Sequence, residues 1–142
     1  MERNQNSLKL KPTDASIYYD RGNTYIQLKD DDKAIQDYNK ALSLDPKLTI
    51  AYNNRGNVYL DQGKYDLALK DFNKNIELEP LDTLAYNNRG RTYFALNNMD
   101  RAFVDYNEAI EINPNEVDAY VNKGNAYKTL EQYEQAITEY KK

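Results

Sequence analysis

The sequence predicts an all-α fold, an α-solenoid of stacked antiparallel helix pairs, and three observations lead to this prediction. The chain repeats itself every 34 residues, and the hexapeptide AYNNRG occurs identically at residues 51–56 and 85–90. Within the repeats, apolar residues follow a helical rather than an alternating spacing. Prolines close three of the repeats, where the residue before each proline avoids the helical conformation. A fixed period of this length is typical of stacked supersecondary units.

The period divides the chain into consecutive units, in which we number positions from 1 to 34. The predicted units are repeat 1 (15–48), repeat 2 (49–82), repeat 3 (83–116) and a truncated repeat 4 (117–142) that lacks a capping helix. Residues 1–14 are interpreted as the tail of a preceding repeat, because Leu8, Leu10 and Pro12 match the ends of the later repeats. We infer a fragment of a longer array; a short protein with frayed ends is the alternative.

Each repeat is predicted to form two helices. In repeat 2 the first runs from Thr49 to about Gln62, the turn includes Gly63, and the second runs from Tyr65 to Leu78. An N-cap at Thr13 and Asp14 is expected to start the first helix of repeat 1.

Small residues recur at two positions where the helices of one repeat are expected to approach closely. A glycine inside a helix costs about 1 kcal/mol relative to alanine, so its recurrence indicates a packing requirement. The predicted structural residues at positions 8 and 20 are Gly22, Gly56, Gly90, Gly124, Ala34, Ala68, Ala102 and Ala136. The tyrosine columns are expected to fill the space around them as core, in preference to stacking on a ligand.

Positions 7 and 23 carry opposite charges in every repeat, and we predict that they form ion pairs between the two helices. The predicted pairs are Arg21–Asp37, Arg55–Asp71, Arg89–Asp105 and Lys123–Glu139. An Arg–Asp pair can be bidentate, which a Lys–Glu pair cannot match. The alternative is two solvated columns whose signs happen to be complementary.

From Ala15 to Lys142, the order of aromatic, Gly, Tyr, Ala, aromatic and Pro in each unit resembles the tetratricopeptide repeat family, without insertion or deletion. This resemblance implies a right-handed solenoid that binds proteins and has no catalytic activity. It also implies that positions 2, 5, 6, 9, 12 and 13 face a concave groove. The peptide-binding residues that it implies are Asn23, Asn53, Asn54, Asn57, Asn87, Asn88, Arg91, Asn122 and Asn125, with Ile26, Leu60 and Phe94.

The column at position 6 resembles the asparagine ladder of O-linked N-acetylglucosamine transferases, which holds extended polypeptides. Asn54, Asn88 and Asn122 match this ladder, and Asp20 interrupts it in repeat 1. An asparagine side chain offers both a donor and an acceptor to a peptide backbone. The alternative is that asparagine is simply frequent in this family and in this chain.

A second family pattern is the carboxylate clamp of Hsp70/Hsp90 co-chaperones. Its basic positions are filled here by Tyr19, Asn53, Ile50, Leu84, Asn88 and Asn122. A groove with so little positive charge is not expected to select an acidic C-terminal tail.

Composition disfavours other classes of function. The net charge of −4 argues against a nucleic-acid partner. RNA reading by related 35-residue helical repeats is also disfavoured by the strict period. The chain has no Cys or His, so we expect no enzyme, cofactor or metal site. No apolar run approaches the roughly 20 residues of a membrane span, and a cytoplasmic location is the default expectation.

Two hypotheses for function therefore remain. The first is a binding module that holds an extended peptide or a helix of a partner protein in its groove. The alternative is a structural spacer or scaffold that assembles head to tail, in which residues 7–12 of one copy complete the last repeat of another.

Overall fold

A computed structural model of the chain describes residues 14–140, and this part consists of helices joined by short turns. The helices are α1 (Ala15–Gln27), α2 (Asp31–Leu44), α3 (Thr49–Asp61), α4 (Tyr65–Leu78), α5 (Thr83–Ala95), α6 (Met99–Ile112) and α7 (Val117–Tyr140). None of these helices is both long and apolar enough to cross a bilayer. The predicted tail of a preceding repeat and Thr13 of the predicted N-cap lie outside the described residues. Asp14 does cap α1, because its carboxylate accepts a hydrogen bond from the Ser16 N–H.

The helices stack as the sequence predicts. The pairs α1–α2, α3–α4 and α5–α6 pack within a repeat, and each second helix also packs against the first helix that follows it. First helices of neighbouring repeats touch as well, α3 with α5 and α5 with α7. The core therefore forms between successive units, and the predicted all-α solenoid is confirmed.

Glycine at position 8 allows the helices of each of the first three repeats to approach closely. A Cβ atom added to Gly22, Gly56 or Gly90 would lie 2.7, 2.6 or 2.6 Å from the aromatic ring at position 24. That ring belongs to Tyr38, Phe72 or Tyr106, and each is almost completely buried. The alanines at position 20 in these repeats are fully buried beside them: Ala34, Ala68 and Ala102.

Two adjacent positions form the turn between the helices of a repeat. Position 15 adopts the left-handed conformation, with φ of 61° at Lys29, 74° at Gly63 and 60° at Asn97. At position 16, the side chains of Asp30 and Asn98 accept hydrogen bonds from backbone N–H groups in the first turn of the next helix. Each turn thus has a favourable left-handed residue, an N-cap, or both.

The predicted helix pair of repeat 4 is wrong, because α7 continues without a break from Val117 to Tyr140. Its positions 15 and 16 are Glu131 and Gln132. Glutamate is unfavourable in the left-handed region, and glutamine is not a preferred N-cap. The sequence of repeat 4 thus lacks both local signals that form the turn in repeats 1–3.

The continuous helix also overturns the roles predicted for repeat 4. Lys123 and Glu139 are 16 residues apart on one helix, about 24 Å along its axis, and cannot form the predicted ion pair. A Cβ atom added at Gly124 would meet no atom within 4 Å. Ala136 is exposed rather than packed between helices.

In repeats 1–3 the charged columns do meet between the two helices. Each arginine donates from Nε and from one terminal nitrogen to the two carboxylate oxygens of its aspartate, at distances of 2.6–2.9 Å. The aspartates are 4%, 2% and 2% exposed. The remaining terminal nitrogens of Arg55 and Arg89 reach the side chains of Asn39 and Asn73 in the preceding repeat, at 2.8 and 3.0 Å. These arginines therefore connect three helices.

The tyrosines at positions 4 and 11 of repeats 1–3 are half-buried beside the arginines, and two of them, Tyr25 and Tyr93, pack against the buried core as expected. The guanidinium carbon of Arg55 lies 5.7 Å from the ring centre of Tyr52 and 6.0 Å from that of Tyr59, within the range of a cation–π contact. The Tyr52 hydroxyl also donates to the carbonyl oxygen of Pro46, at 3.0 Å. The fully buried aromatic rings of repeats 1–3 are those at position 24.

The pKa values of the second pair show the effect of burial. Burial raises the pKa of the Asp71 carboxyl and outweighs the opposing effect of Arg55. Burial also acts to lower the pKa of Arg55, but its hydrogen bond and charge interaction with Asp71 raise that pKa overall. Asp71 therefore depends on Arg55 to remain ionised inside the protein.

Replacing Arg55 with Met should lower the free energy of unfolding by about 3 kcal/mol at neutral pH, because the buried Asp71 charge loses its partner. Arg21→Met should cost less, since the Arg21 side chain is 44% exposed and that of Arg55 is 19% exposed. Without Arg55, the pKa of Asp71 in the folded protein should rise further. The stability lost in Arg55→Met should therefore become smaller as pH falls through that pKa, because the buried carboxylate is then neutral. Urea denaturation across pH measures this. Equal losses in both variants at every pH would contradict the prediction.

Alkaline pH should destabilise the protein through two buried tyrosines. Burial raises the pKa of Tyr38 and Tyr106 to about 12. The pKa of a tyrosine in the unfolded chain is about 10, so each buried tyrosine contributes its full stabilisation below a pH of about 10. As pH rises from there through about 12, the free energy of unfolding should fall by about 2–3 kcal/mol for each tyrosine. Phe72 occupies the same position in repeat 2, so a Tyr38→Phe, Tyr106→Phe variant should fold. Its stability should fall less at alkaline pH than that of the natural chain. Stability measured by denaturant titration over this pH range tests the expectation; an unchanged alkaline loss would refute it.

Candidate functional site

The first helices line a groove that contains three cavities. The first cavity, about 450 Å³, lies between repeats 1 and 2 and is lined by Asn23, Ile26, Gln27, Asp31, Tyr38, Asn54, Asn57, Val58 and Asp61. The second, about 340 Å³, is lined by Leu60, Asp61, Tyr65, Arg91, Phe94, Ala95, Tyr106, Asn122 and Asn125. The third, about 240 Å³, is lined by Leu84, Asn87, Asn88, Arg91, Asp118, Val121 and Asn122.

The structure brings the predicted groove residues to this one surface. Of the twelve residues that the resemblance implies, all but Asn53 line one of the three cavities. Asn53 lies beside the third cavity, because its amide oxygen accepts a hydrogen bond from Asn88.

The asparagines at position 6 have a role that the sequence did not predict. The Asn54 amide nitrogen donates to the Asn23 oxygen at 2.9 Å and to the Tyr19 hydroxyl at 3.0 Å, both in the preceding repeat. The Asn88 nitrogen donates in the same way to the Asn53 oxygen, at 2.7 Å. The amide nitrogens of Asn54 and Asn88 thus connect consecutive first helices, and the ladder for a ligand backbone stays a prediction.

These cross-repeat bonds follow a register that is broken once. Tyr19 pairs with Asn54 and Asn53 pairs with Asn88, each across 35 residues. The next pair in this register is Asn87 and Asn122. Asn87 is 3% exposed, and neither its amide oxygen nor its amide nitrogen has a hydrogen-bond partner within the described part of the chain.

Asn87 and Asn122 both line the third cavity, so the break in the register occurs in the groove wall. A buried amide without partners costs about 1–3 kcal/mol, which is unusual in a folded protein. Both groups of Asn87 are buried from solvent, so a ligand in this cavity would reach them if the side chain rotated toward it. Asn57 in the first cavity has a similarly unpartnered amide oxygen among the described residues.

The groove contains more carboxylates than cationic groups. Its three cavities are lined by the carboxylates of Asp31, Asp61 and Asp118, and Arg91 is the one cationic residue that lines them. Asp61 occupies position 13, so the family pattern could have identified it. Asp31 lies at the start of a second helix, and the groove pattern of first helices gives no signal for it.

The groove offers hydrogen bonds and apolar contacts rather than reactive groups. Tyr38 and Tyr106 line the first and second cavities, and burial raises the pKa of each to about 12, so both hydroxyls are neutral near pH 7. Within residues 14–140, no cluster of three or more acidic side chains is arranged to hold a metal ion. The arrangement is suited to binding.

Comparison with protein families and solved structures supports the assignment of the repeats. Three sequence profiles match: one described as TPR repeat at residues 22–63, and two described as tetratricopeptide repeat at residues 49–81 and 83–116 and at residues 4–36 and 105–138. A search of curated protein sequences found no match.

Solved structures of similar fold agree. The first TPR domain of human RPAP3 is 30% identical, with a TM-score of 0.80, and the match covers 88% of this chain and 98% of that domain. The first TPR of Spaghetti (RPAP3), solved with the HSP90 peptide SRMEEVD, is 29% identical over 85% of this chain and 96% of that one, with a TM-score of 0.78. MamA is 25% identical over 96% of this chain and 80% of its own, with a TM-score of 0.79.

The 34-residue period, the stacked helix pairs and these matches agree on one assignment. The chain belongs to the tetratricopeptide repeat family.

Proposed function

We propose that this chain is a non-catalytic protein-interaction module that binds an extended segment of a partner protein in the groove of its first helices. The observation that carries the proposal is the unpartnered amide of Asn87 in the wall of the third cavity. An amide presents a donor and an acceptor side by side, which matches the N–H and C=O of one residue in an extended peptide. A bound backbone would remove the desolvation penalty of that amide.

The surroundings of Asn87 also suit a peptide. Leu84 and Val121 are 50% and 53% exposed and lie in the same cavity, where they offer apolar contacts to side chains of the ligand. The second and third cavities share Arg91 and Asn122, so an extended segment can pass from one to the other. The cavities therefore form a path along the stack rather than a single closed site.

The charge of the groove indicates which peptides would bind. The first cavity has two carboxylates, Asp31 and Asp61, and no cation among its lining residues. The RPAP3 relative was solved with a peptide that contains three acidic residues, SRMEEVD. A groove with three carboxylates and one arginine would repel such a peptide, so we propose a neutral or basic segment as the partner.

Asn87→Leu should separate binding from stability. Leucine has a similar volume and no polar atoms, so the free energy of unfolding should stay the same or rise by about 1 kcal/mol. Binding to peptides selected on an array of extended sequences should weaken by about tenfold, equivalent to about 1.4 kcal/mol. Calorimetric titration and urea denaturation measure the two effects.

The matched control is Asn107→Leu, an exposed asparagine on α6 that lines none of the groove cavities. Binding that is unaffected by Asn87→Leu would exclude the third cavity as the site.

Basic peptides should bind more tightly than acidic peptides of otherwise identical sequence. The expected difference is severalfold at low ionic strength and smaller at high salt, because partly exposed charges are screened. Asp31→Asn with Asp61→Asn should reduce the preference for basic residues without abolishing binding of a neutral parent peptide. Fluorescence anisotropy with the three peptide series measures this. A preference for the acidic series would contradict the proposed class of partner.

A further inference from the structure

The second half of α7 carries an apolar face that is largely exposed within residues 14–140. Tyr133, Ile137 and Tyr140 are 48%, 54% and 89% exposed. Their spacing of four and three residues places them on one side of the helix. In the first three repeats, the side chain equivalent to Tyr140 is the buried ring at position 24.

The first half of α7 carries the matching surface. Gly124 is the equivalent of the glycines that receive those rings, yet an added Cβ atom at Gly124 would meet nothing within 4 Å. Tyr120 and Tyr127 are 50% and 57% exposed on either side of it. The chain therefore contains both halves of a hairpin contact, an empty notch and a ring that fits it, and α7 holds them apart.

The ring cannot reach the notch of its own helix without a turn at Glu131 and Gln132, and these residues lack the signals that form this turn in repeats 1–3. The Tyr133 hydroxyl also lies 3.4 Å from the Asn97 oxygen, a contact that supports the straight course of the helix. The notch is thus open to a ring from another molecule.

We propose that two copies of this chain associate through α7, each placing its segment 131–140 against the first half of the other copy's helix. The register follows from the first three repeats: Tyr140 of one copy occupies the Gly124 notch of the other. Lys123 then faces Glu139 across the interface, so the ion pair that α7 cannot form within one chain forms between two.

The symmetry of this arrangement follows from the sequence. The pairs Lys123–Glu139 and Gly124–Tyr140 have their midpoints at the adjacent residues Glu131 and Gln132. A two-fold axis that passes beside these residues relates the two copies, and each pair then occurs twice in the dimer. Such an interface is isologous and closes at the dimer. It differs from a head-to-tail contact, which would add further copies, and it leaves the groove cavities of repeats 1 and 2 uncovered because none of the exchanged residues lines them.

Cross-linking of single-cysteine variants tests the register, since the natural chain has no cysteine. Lys123→Cys and Glu139→Cys chains, refolded together and treated with a short bis-maleimide, should form a covalent dimer that contains one of each. Neither variant alone should cross-link, because equal positions lie about 24 Å apart along the antiparallel helices. A cross-link within one chain of the Lys123→Cys, Glu139→Cys double variant would overturn the proposal in favour of a closed hairpin, and efficient cross-linking of either single variant would overturn the register.

Sedimentation equilibrium tests the association itself. The natural chain should double its mass as concentration rises and then remain a dimer; a strict monomer, or growth beyond a dimer, would overturn the proposal. A Cβ atom at Gly124 would meet no other side chain within 4 Å, so Gly124→Leu should fill the notch and abolish the dimer while helicity and thermal stability are retained. Glu131→Gly with Gln132→Asn supplies the missing turn signals and should also yield a monomer. A dimer that persists in both variants would show that another surface is responsible.

Discussion

The contact between the glycine at position 8 and the ring at position 24 is the constraint on which the other features depend. It brings the two helices of a repeat so close that no Cβ atom fits between them. At this separation the arginine at position 7 reaches both oxygens of the aspartate at position 23. Where the contact is absent, in α7, the ion pair and the buried alanine are absent too. The hairpin is therefore a cooperative unit in which one close approach determines the rest.

The hexapeptide AYNNRG can now be explained residue by residue. In residues 51–56, Ala51 is fully buried, and Tyr52 donates to the carbonyl oxygen of Pro46 in the preceding repeat. Asn54 bonds to the preceding first helix, and Asn53 accepts from the following one. Arg55 connects to its own second helix and to the preceding one, and the glycine receives the ring. Six adjacent residues thus make contacts in several directions, and residues 85–90 repeat these contacts except at Asn87.

The sequence predicted the features that repeat and missed those that depend on a single repeat. The period, the helix pairs, the glycine contacts and three ion pairs follow from columns that every unit shares. The straight course of α7 depends on Glu131 and Gln132, which stand where the other repeats have their turn residues. They provide neither a favourable left-handed residue nor an N-cap, and aligning the repeats by their shared columns does not reveal this. The use of Asn54 and Asn88 between helices could not be predicted, because an amide on a first helix can point to the groove or to a neighbour. That choice is made by the angle between repeats, which composition and spacing do not specify.

A break in the repetition is more informative about function than the repetition itself. Asn53 and Asn87 are identical in residue type, position and neighbours in sequence, yet Asn53 is bonded to the next repeat and Asn87 has no partner within residues 14–140. A contact that holds repeats together must be satisfied at every junction, so an unsatisfied copy is a net cost to stability. Asn75 on α4 is a second buried amide without a partner there, but it stands where Ala41 and Ala109 are packed and lines none of the groove cavities. Asn57 in the first cavity leaves only its amide oxygen unpartnered among the described residues, whereas Asn87 leaves both amide groups unpartnered beside the third cavity, so Asn87 is the position at which the proposed ligand would relieve the largest cost to folding.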